Sequence, residues 1–385
     1  MREALALISG ACDTAVGELP GSTCLGLHAE AAFGAIADAG LVPGDIDGLL
    51  CSYSMTEPHL MLASVVAEHL GLQPAHCAAL SAGGATGVIA VMQAQALIAA
   101  GHCRHVLVVT GDNRLTGMSR DGAVAALAGV GHPLFEQPCG LSVPAAYALI
   151  AQRYLHEYGV PTTHLAAVAV AMRRHAARHP KAHKRAPITL DDVLASKEIA
   201  SPLRLLDCCL ISDGAAAVVI SAPRAVPAAT RARVALLGAG QGHTHEHVSY
   251  APGLREFGCH RASALAFAQA GLTPRDIDVA EIYDSFTITL LVELESMGFF
   301  APGTAGAAAL AGALDLDGEL PCNTHGGLLS YGHSGPAGGM FHLVEAVHQL
   351  RGEAGPRQVH DAALAFVHGD GGILSAHGSL ILGAA

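Results

Sequence analysis

The feature that most constrains this chain is an internal repeat. Residues 39–47 read AGLVPGDID, and residues 270–278 read AGLTPRDID, 231 positions later. In each copy an alanine-rich helical pattern precedes the match and a short strand pattern follows it. The repeat therefore predicts two copies of one α/β unit.

A second pair of matches follows in the same order. Apolar strand patterns at 106–109 and 363–367 run into TGD and HGD tripeptides, respectively. Two ordered matches favour duplication of a whole domain over a chance likeness. We expect an N-terminal half at 1–225 that contains an inserted loop domain at about 114–203, an Ala- and Pro-rich linker at 222–232, and a C-terminal half at 226–385.

Composition narrows the class of protein. Only 14% of the 385 residues are charged and 51% are hydrophobic, which excludes disorder and predicts a large buried interior. The formal net charge of -12 argues against a nucleic-acid partner. Residues 69–103 contain no Asp, Glu, Lys or Arg, but Gly and Pro interrupt them. The remaining helical stretch, 87–100, is too short to span a membrane and is predicted to be buried in protein.

The cysteines and the N-terminus bear on location. The ten cysteines are scattered and form no C-x-x-C motif, so no disulfide framework and no metal site is indicated. The first residues lack the basic and apolar regions of a signal peptide. We therefore expect a cytoplasmic protein with reduced cysteines and no membrane span.

Three segments combine glycine or a strand end with reactive side chains. They are residues 281–286, residues 322–340 and residues 367–372, and each is expected to follow a strand or to run into a helix. Sites in open α/β sheets collect at the carboxyl ends of the strands, so these segments are expected to meet. The Gly326–Gly327 pair allows a ligand to approach the backbone closely. A single histidine is more typical of a hydrogen-bonded structural residue than of a catalyst, whereas the cluster of histidines favours a catalytic role as much as a structural one.

A basic stretch stands out in the acidic chain. It lies within the predicted insertion, between residues 173 and 185. Such a stretch is either a solvated loop or an anion site for a phosphate-bearing ligand. Its candidate ligand-binding cations are Arg173, Arg174, Lys181 and Lys184.

The chain resembles the thiolase superfamily, in its sterol carrier protein X-type branch. The resemblance rests on the duplication, on PLRLLDCC at 202–209 followed by SDGA at 212–215, and on the loop at 323–339, which is similar to N-x-x-G-G-x-x-x-x-G-H-P-x-G. It implies a five-layered α-β-α-β-α fold, homodimerisation and acyl-coenzyme A substrates with no tightly bound cofactor. It also implies that the basic stretch and the Gly326–Gly327 pair approach coenzyme A.

The departures from the family pattern concern the chemistry. Gly84 falls at the position of the thiolase nucleophile, and glycine cannot form an acyl-enzyme. His368 replaces the second thiolase cysteine, and Tyr283 replaces an asparagine that holds an oxyanion-hole water. Only the histidine of the G-H-P motif is retained, as His333.

The same losses occur in thiolase-like retro-aldolases that act on steroid coenzyme A thioesters. This chain resembles them in YDSF at 283–286, NTHGG at 323–327 and YGH at 331–333. Retro-aldol cleavage needs a base rather than a nucleophile, and a tyrosine base needs a nearby cation or histidine that lowers its pKa. His325 and His333 are expected to hydrogen-bond the enolate. The candidate catalytic residues are Tyr283, His333, His325, Tyr331, Asn323 and His368.

Two alternatives remain open at this point. A thiolase-type acyltransferase that works in a complex would need another cysteine, and Cys77 and Cys322 are the nearby candidates. A non-catalytic homologue that binds acyl-coenzyme A or lipid would need none. The resemblance also implies a small accessory protein with a zinc ribbon and an oligonucleotide-binding-type barrel.

Overall fold

The computed structural model describes residues 4, 6–226, 233–253 and 257–385. Most of the N-terminal tetrapeptide and the linker residues 227–232 lie outside the described residues, so the sequence predictions there have no structural counterpart. The described strands are β1 (Ala6–Asp13), β2 (Gly48–Ser52), β3 (His76–Leu80), β4 (His105–Asn113), β5 (Glu198–Ala200), β6 (Leu203–Arg204), β7 (Asp213–Ser221), β8 (Val234–His243), β9 (Val279–Ile282), β10 (Leu364–Gly371) and β11 (Ala376–Ala384). The described helices are α1 (Cys24–Asp38), α2 (Leu62–His69), α3 (Thr86–Ala99), α4 (Arg120–Ala128), α5 (Val143–Tyr158), α6 (Thr163–Ala176), α7 (Leu190–Ala195), α8 (Gly258–Ala270), α9 (Thr287–Ser296), α10 (Ala305–Leu310), α11 (Gly327–Ser330) and α12 (Gly338–Arg351).

The strand order confirms the duplication. In the first half β2 is parallel to β4, and β7 lies antiparallel between β4 and β1. In the second half β9 is parallel to β10, and β11 lies antiparallel between β10 and β8. A short ladder between β1 and β8 joins the half-sheets, so that the order is β3-β2-β4-β7-β1-β8-β11-β10-β9.

The helices confirm the expected five layers. Helices α1 and α2 cover the outer face of the first half-sheet, and α8 covers the outer face of the second. Helices α3 and α12 lie in the middle, where each contacts strands of both half-sheets. Helix α3 has nine buried residues because most of its length is enclosed between the two half-sheets, which explains its uncharged sequence.

The chain between β4 and β7 carries α4 to α7 and the β5–β6 hairpin. The first turn of α5 is capped by Ser142 Oγ, 3.3 Å from the backbone nitrogen of Ala145. Helix α6 follows and ends at Ala176. Apolar faces of α5 and α6 pack in one core cluster with residues of α8 and α9.

One sequence expectation about the backbone is wrong. The segment at 367–372 is not a loop after a strand, because β10 continues to Gly371 and pairs with β11 along its whole length. Successive strand residues face opposite sides of the sheet. A Cβ at Gly369 would lie 3.0 Å from the Cα of Ala85 at the start of α3, whereas the His368 ring lies on the other face. The glycines therefore let the middle layer approach β10.

The junction between halves generates a stability prediction. Arg351, at the end of α12, is buried and lies 2.6 Å from Asp38 Oδ2 of α1, and it also donates to the carbonyl of Ser9. Arg351→Ala leaves a partly buried carboxylate without this cation, so we expect the free energy of unfolding to fall by about 3 kcal/mol.

The measurement is the midpoint of chemical denaturation. Arg153→Ala is the control, because the Arg153–Glu157 ion pair is solvent-exposed and its loss is expected to change stability by at most about 0.5 kcal/mol. Equal effects of the two substitutions would contradict the prediction.

Candidate active site

Two of the predicted catalytic residues meet at the centre of the molecule. Tyr283 follows β9, and its hydroxyl oxygen lies 2.8 Å from Nε2 of His333. A Cβ at Gly84, before α3, would overlap this hydroxyl, and a Cβ at Gly338 would lie 2.8 Å from Cε2 of Tyr283. The tyrosine thus occupies the space into which a side chain at position 84 would extend.

His333 is held as a neutral imidazole. Burial lowers its pKa to about 3, and Arg114 and His342 act in the same direction. Its backbone N–H lies 3.3 Å from Ser212 Oγ, and its carbonyl accepts from the Ser212 N–H at 3.0 Å. A neutral imidazole has one N–H and one free acceptor, so it can accept a proton from Tyr283.

Tyr283 does not have the lowered pKa that the sequence argument required. Burial raises its pKa well above the usual value, and Cys209 and Asp370 raise it further. Arg114 lowers the pKa but does not overcome burial. The hydroxyl therefore keeps its proton at neutral pH and serves as a hydrogen-bond donor and acceptor rather than as a standing tyrosinate.

Arg114 was missed as a site residue. It directly follows β4, is 5% exposed, and its Nε has no hydrogen-bond partner among the described residues. A Cβ at Gly335 would lie 2.8 Å from its Cδ, which places the side chain over the loop that carries His333. Its position after a parallel strand was the available signal, because sites collect at such strand ends.

Cys209 was also missed. Its sulfur lies 3.7 Å from Nδ1 of His333, and its backbone N–H donates to the carbonyl of Ser285. Burial raises the pKa of its thiol to about 12. Of the cysteines named from the sequence, Cys77 is exposed on the edge strand β3, and Cys322 is buried beside Ala280.

His325 belongs to a neighbouring buried network. Its Nδ1 lies 2.9 Å from Oε2 of Glu281, which His342 also approaches, and Thr324 donates its N–H to Oε1 of the same carboxylate. Burial lowers the pKa of His325, but Glu281 outweighs burial and raises this pKa overall. The network holds the 323–327 loop against β9.

The structure does not bring three other candidates to the Tyr283–His333 pair. The Tyr331 hydroxyl donates to Asp13, which also lies 2.6 Å from Lys181 Nζ. The side-chain amide of Asn323 binds the backbone of Ile282: Oδ1 accepts from its N–H at 2.6 Å, and Nδ2 donates to its carbonyl at 2.7 Å. His368 Nδ1 lies 2.8 Å from Ser379 Oγ, on the face of β10 opposite α3.

The residues predicted to bind coenzyme A differ in their burial and in their hydrogen-bond and ion-pair partners. The Arg173 guanidinium donates to Ser330 Oγ at 2.9 Å, and Arg174 forms an ion pair with Asp315. Lys181 binds Asp13, as described above, and Lys184 is exposed. The backbone at Gly326 and Gly327 has φ of +111° and +61°, which favours glycine, and a Cβ at Gly327 would overlap the carboxylate of Asp284.

Comparisons with known proteins agree with this architecture. The family model described as "Thiolase, N-terminal domain" matches residues 6–223, and "Thiolase C-terminal domain-like" matches residues 240–384. No helix among the described residues is both long and apolar enough to cross a membrane.

Relatives with different activities are similar over most of the chain. A 17-hydroxy-3-oxo-4-pregnene-20-carboxyl-CoA lyase of Mycobacterium tuberculosis is 38% identical over 86% of this chain and 88% of its own. An acetyl-CoA acetyltransferase of Methanothermobacter thermautotrophicus is 32% identical over 95% of this chain and 96% of its own. The structure of an Ltp2–ChsH2(DUF35) aldolase has a TM-score of 0.86 and 34% identity, covering 98% of this chain and 97% of that chain.

The neutral state of His333 predicts acid sensitivity. Its pKa falls from an ordinary 6.5 to about 3 on folding, so between these pH values the unfolded chain binds more protons than the folded chain. Stability therefore falls as the pH falls through this window, by up to about 1.4 kcal/mol per pH unit from this residue.

Melting temperatures measured between pH 7 and pH 4 test the prediction. His333→Gln removes the titrating ring, so we expect a shallower pH dependence for this variant than for the natural chain. Parallel curves would show that His333 titrates alike in both states.

Proposed function

The chain belongs to the thiolase family, and we propose that it is a lyase that cleaves a 3-hydroxyacyl-coenzyme A thioester by a retro-aldol reaction. One observation carries the proposal: the hydroxyl of Tyr283 bonds to a neutral His333 at 2.8 Å and takes up the space beside Gly84. A thiolase of the usual kind needs a cysteine at that place, and Gly84 offers no nucleophile. Retro-aldol cleavage needs only a proton acceptor there.

The proton balance of this reaction requires no added reagent. The oxygen of Tyr283 accepts the proton of the substrate's β-hydroxyl as the tyrosine passes its own proton to Nε2 of His333. The Cα–Cβ bond then breaks, leaving a carbonyl product and a thioester enolate. The proton returns through the same pair to Cα. Since each transfer is concerted with the next, the raised pKa of Tyr283 does not require a free tyrosinate.

Arg114 supplies positive charge beside this pair. Its Nε has no partner among the described residues, and its charge acts on both Tyr283 and His333. A fixed cation in a site that excludes water stabilises a developing enolate oxygen. We therefore assign the enolate contact to Arg114 together with His333, and a positioning role to His325, whose Nδ1 faces Glu281.

Coenzyme A binding by Arg173, Arg174, Lys181 and Lys184 stays a prediction. Lys184 suits a phosphate contact because it is exposed, whereas Arg173 is buried and hydrogen-bonded to Ser330. The backbone of Gly326 and Gly327 has positive φ, which favours glycine, and neither residue places a side chain on the loop. The division into halves at 225 and 226, and a cytoplasmic location, also remain predictions.

An acyltransferase is the second candidate. The Cys209 sulfur, 3.7 Å from Nδ1 of His333, forms a cysteine–histidine pair that could carry an acyl group. Its raised pKa weakens it as a nucleophile, because the thiolate is the reactive form. Retro-aldol cleavage is therefore the preferred function.

Two partners belong to the proposal. Among the described strands, edge strand β3 pairs only with β2. Its small residues Cys77 and Ala79 are exposed, so β3 offers its free edge to a second copy of the chain. The Ltp2–ChsH2(DUF35) aldolase supports an accessory protein as the second partner. Cleavage of 3-hydroxyacyl-coenzyme A is therefore assayed with the chain alone and with the chain together with any partner that co-purifies from its native host.

The lyase predicts a specific loss in Tyr283→Phe. Removing the hydroxyl breaks the proton path, so we expect turnover of 3-hydroxyacyl-coenzyme A substrates to fall by roughly 10²-fold or more. The carbonyl product is followed by mass spectrometry, and free coenzyme A thiol, which retro-aldol cleavage does not release, is followed by a thiol reagent. Tyr154→Phe of α5 is a matched control, because the Tyr154 hydroxyl donates to Glu295 at 2.6 Å and not to His333.

Cys209→Ala separates the two candidate functions. A lyase retains cleavage in this variant, because no covalent intermediate forms. An acyl group on Cys209 in intact-mass spectra, together with loss of acyl transfer in Cys209→Ala, would instead establish the acyltransferase.

The proposed dimer predicts that charge on the free edge disrupts it. Ala79→Lys would place an ammonium group in the interface, and we expect monomers in sedimentation analysis. Ala100→Lys, at the exposed end of α3, is expected to leave the mass unchanged. A dimer that persists in Ala79→Lys would place the interface elsewhere.

A further inference from the structure

A second group of polar side chains lies on the far side of β10 from the Tyr283–His333 pair. It consists of Glu293 of α9, His368 of β10 and His377 of β11, and all three are fully buried. Neither carboxylate oxygen of Glu293 has a hydrogen-bond partner among the described residues. A buried carboxyl group without a partner is strongly unfavourable unless something not yet considered binds it.

The ligand atoms of this group have the separations of a metal site. His368 Nε2 lies 3.1 Å from His377 Nδ1 and 3.4 Å from Glu293 Oε1, and His377 Nδ1 lies 3.7 Å from the same oxygen. Ligands of tetrahedral zinc, each about 2.0–2.1 Å from the metal, are about 3.3 Å apart. The three atoms can therefore share one ion with little movement.

The surroundings supply the rest of such a site. Asp370 Oδ1 lies 3.8 Å from His377 Nδ1 and has no hydrogen-bond partner among the described residues, so it can serve as a fourth ligand. Ser379 Oγ lies 2.8 Å from Nδ1 of His368 and can accept its N–H, which frees Nε2 for a metal. The Tyr147 hydroxyl donates to the other oxygen of Asp370 at 3.1 Å and orients it.

We propose that Glu293, His368, His377 and Asp370 form a structural zinc site. Two imidazoles and two carboxylates in a closed, buried arrangement favour tetrahedral Zn²⁺ without an open coordination position. The site joins α9 to the β10–β11 hairpin. It lies behind Tyr283, whose backbone N–H donates to the carbonyl of His368 at 3.1 Å. This zinc site gives His368 a role other than the catalytic one expected from its position in the sequence.

The other buried Glu–His group differs in one respect. Oε1 of Glu281 accepts hydrogen bonds from the backbone N–H of Thr324 at 2.9 Å and from the Thr324 hydroxyl at 2.8 Å. Its carboxylate is therefore satisfied without an ion. His342, whose Nδ1 lies 3.4 Å from Glu281, offers a matched histidine outside the proposed zinc site.

Elemental analysis of the full chain tests the proposal. The chain is dialysed against chelator, loaded with Zn²⁺ and freed of excess metal, and we expect about one zinc per chain. Glu293→Gln and His377→Gln are expected to lose at least about tenfold in zinc affinity, while His342→Gln keeps its zinc. Co²⁺ in place of Zn²⁺ is expected to show the intense visible absorption of a tetrahedral site.

A melting measurement keeps the test valid if a variant folds poorly. Zinc that binds only the folded chain raises the melting temperature of the natural chain and of His342→Gln, but not that of Glu293→Gln. No retained zinc and no rise in melting temperature for the natural chain would overturn the proposal. Equal zinc content in Glu293→Gln and the natural chain would overturn it as well, because the ion would then be bound elsewhere.

Discussion

Close approach between the two halves is the constraint on which the rest of the structure depends. At the start of α3, a Cβ at Gly83 would lie 2.6 Å from the Cα of Gly371 in β10, and a Cβ at Gly339 would lie 2.6 Å from the carbonyl oxygen of Gly84. Larger residues at these points would force the layers apart. The same contact brings Gly84 of one half to Tyr283 of the other. Packing between the duplicated halves therefore creates the site.

Burial then sets the chemistry of the groups that meet there. The imidazole of His333 is neutral and the hydroxyl of Tyr283 is protonated, since low polarity disfavours both charged forms. A pair in these states moves a proton without forming a stable ion. Arg114 adds a fixed charge whose field acts on both partners. This combination suits the reversible proton transfer of an aldol cleavage better than the thiolate chemistry of a thiolase.

The two faces of β10 contact different parts of the molecule. Gly369 faces α3 and lets the middle layer approach, whereas His368 and Asp370 face α9 and β11. Alternation along a strand makes this division unavoidable, because neighbouring residues point to opposite sides. The HGD tripeptide at 368–370 thus serves both packing and, in our proposal, zinc binding. A motif read as one loop contributes to two distinct environments.

The sequence by itself determined the duplication and the five layers, and it predicted that the segments carrying Tyr283 and His333 meet, because repeated patterns and family motifs are local properties of the chain. Only the tertiary structure decided that Tyr331 binds Asp13, and that Arg114 and Cys209 face the site. These contacts join residues far apart in the chain, and they depend on strand register and on the packing of α3 against the second half. No local sequence pattern specifies which way a side chain points or how deeply it is buried. Both followed from the tertiary structure, and the pKa shifts depend on them.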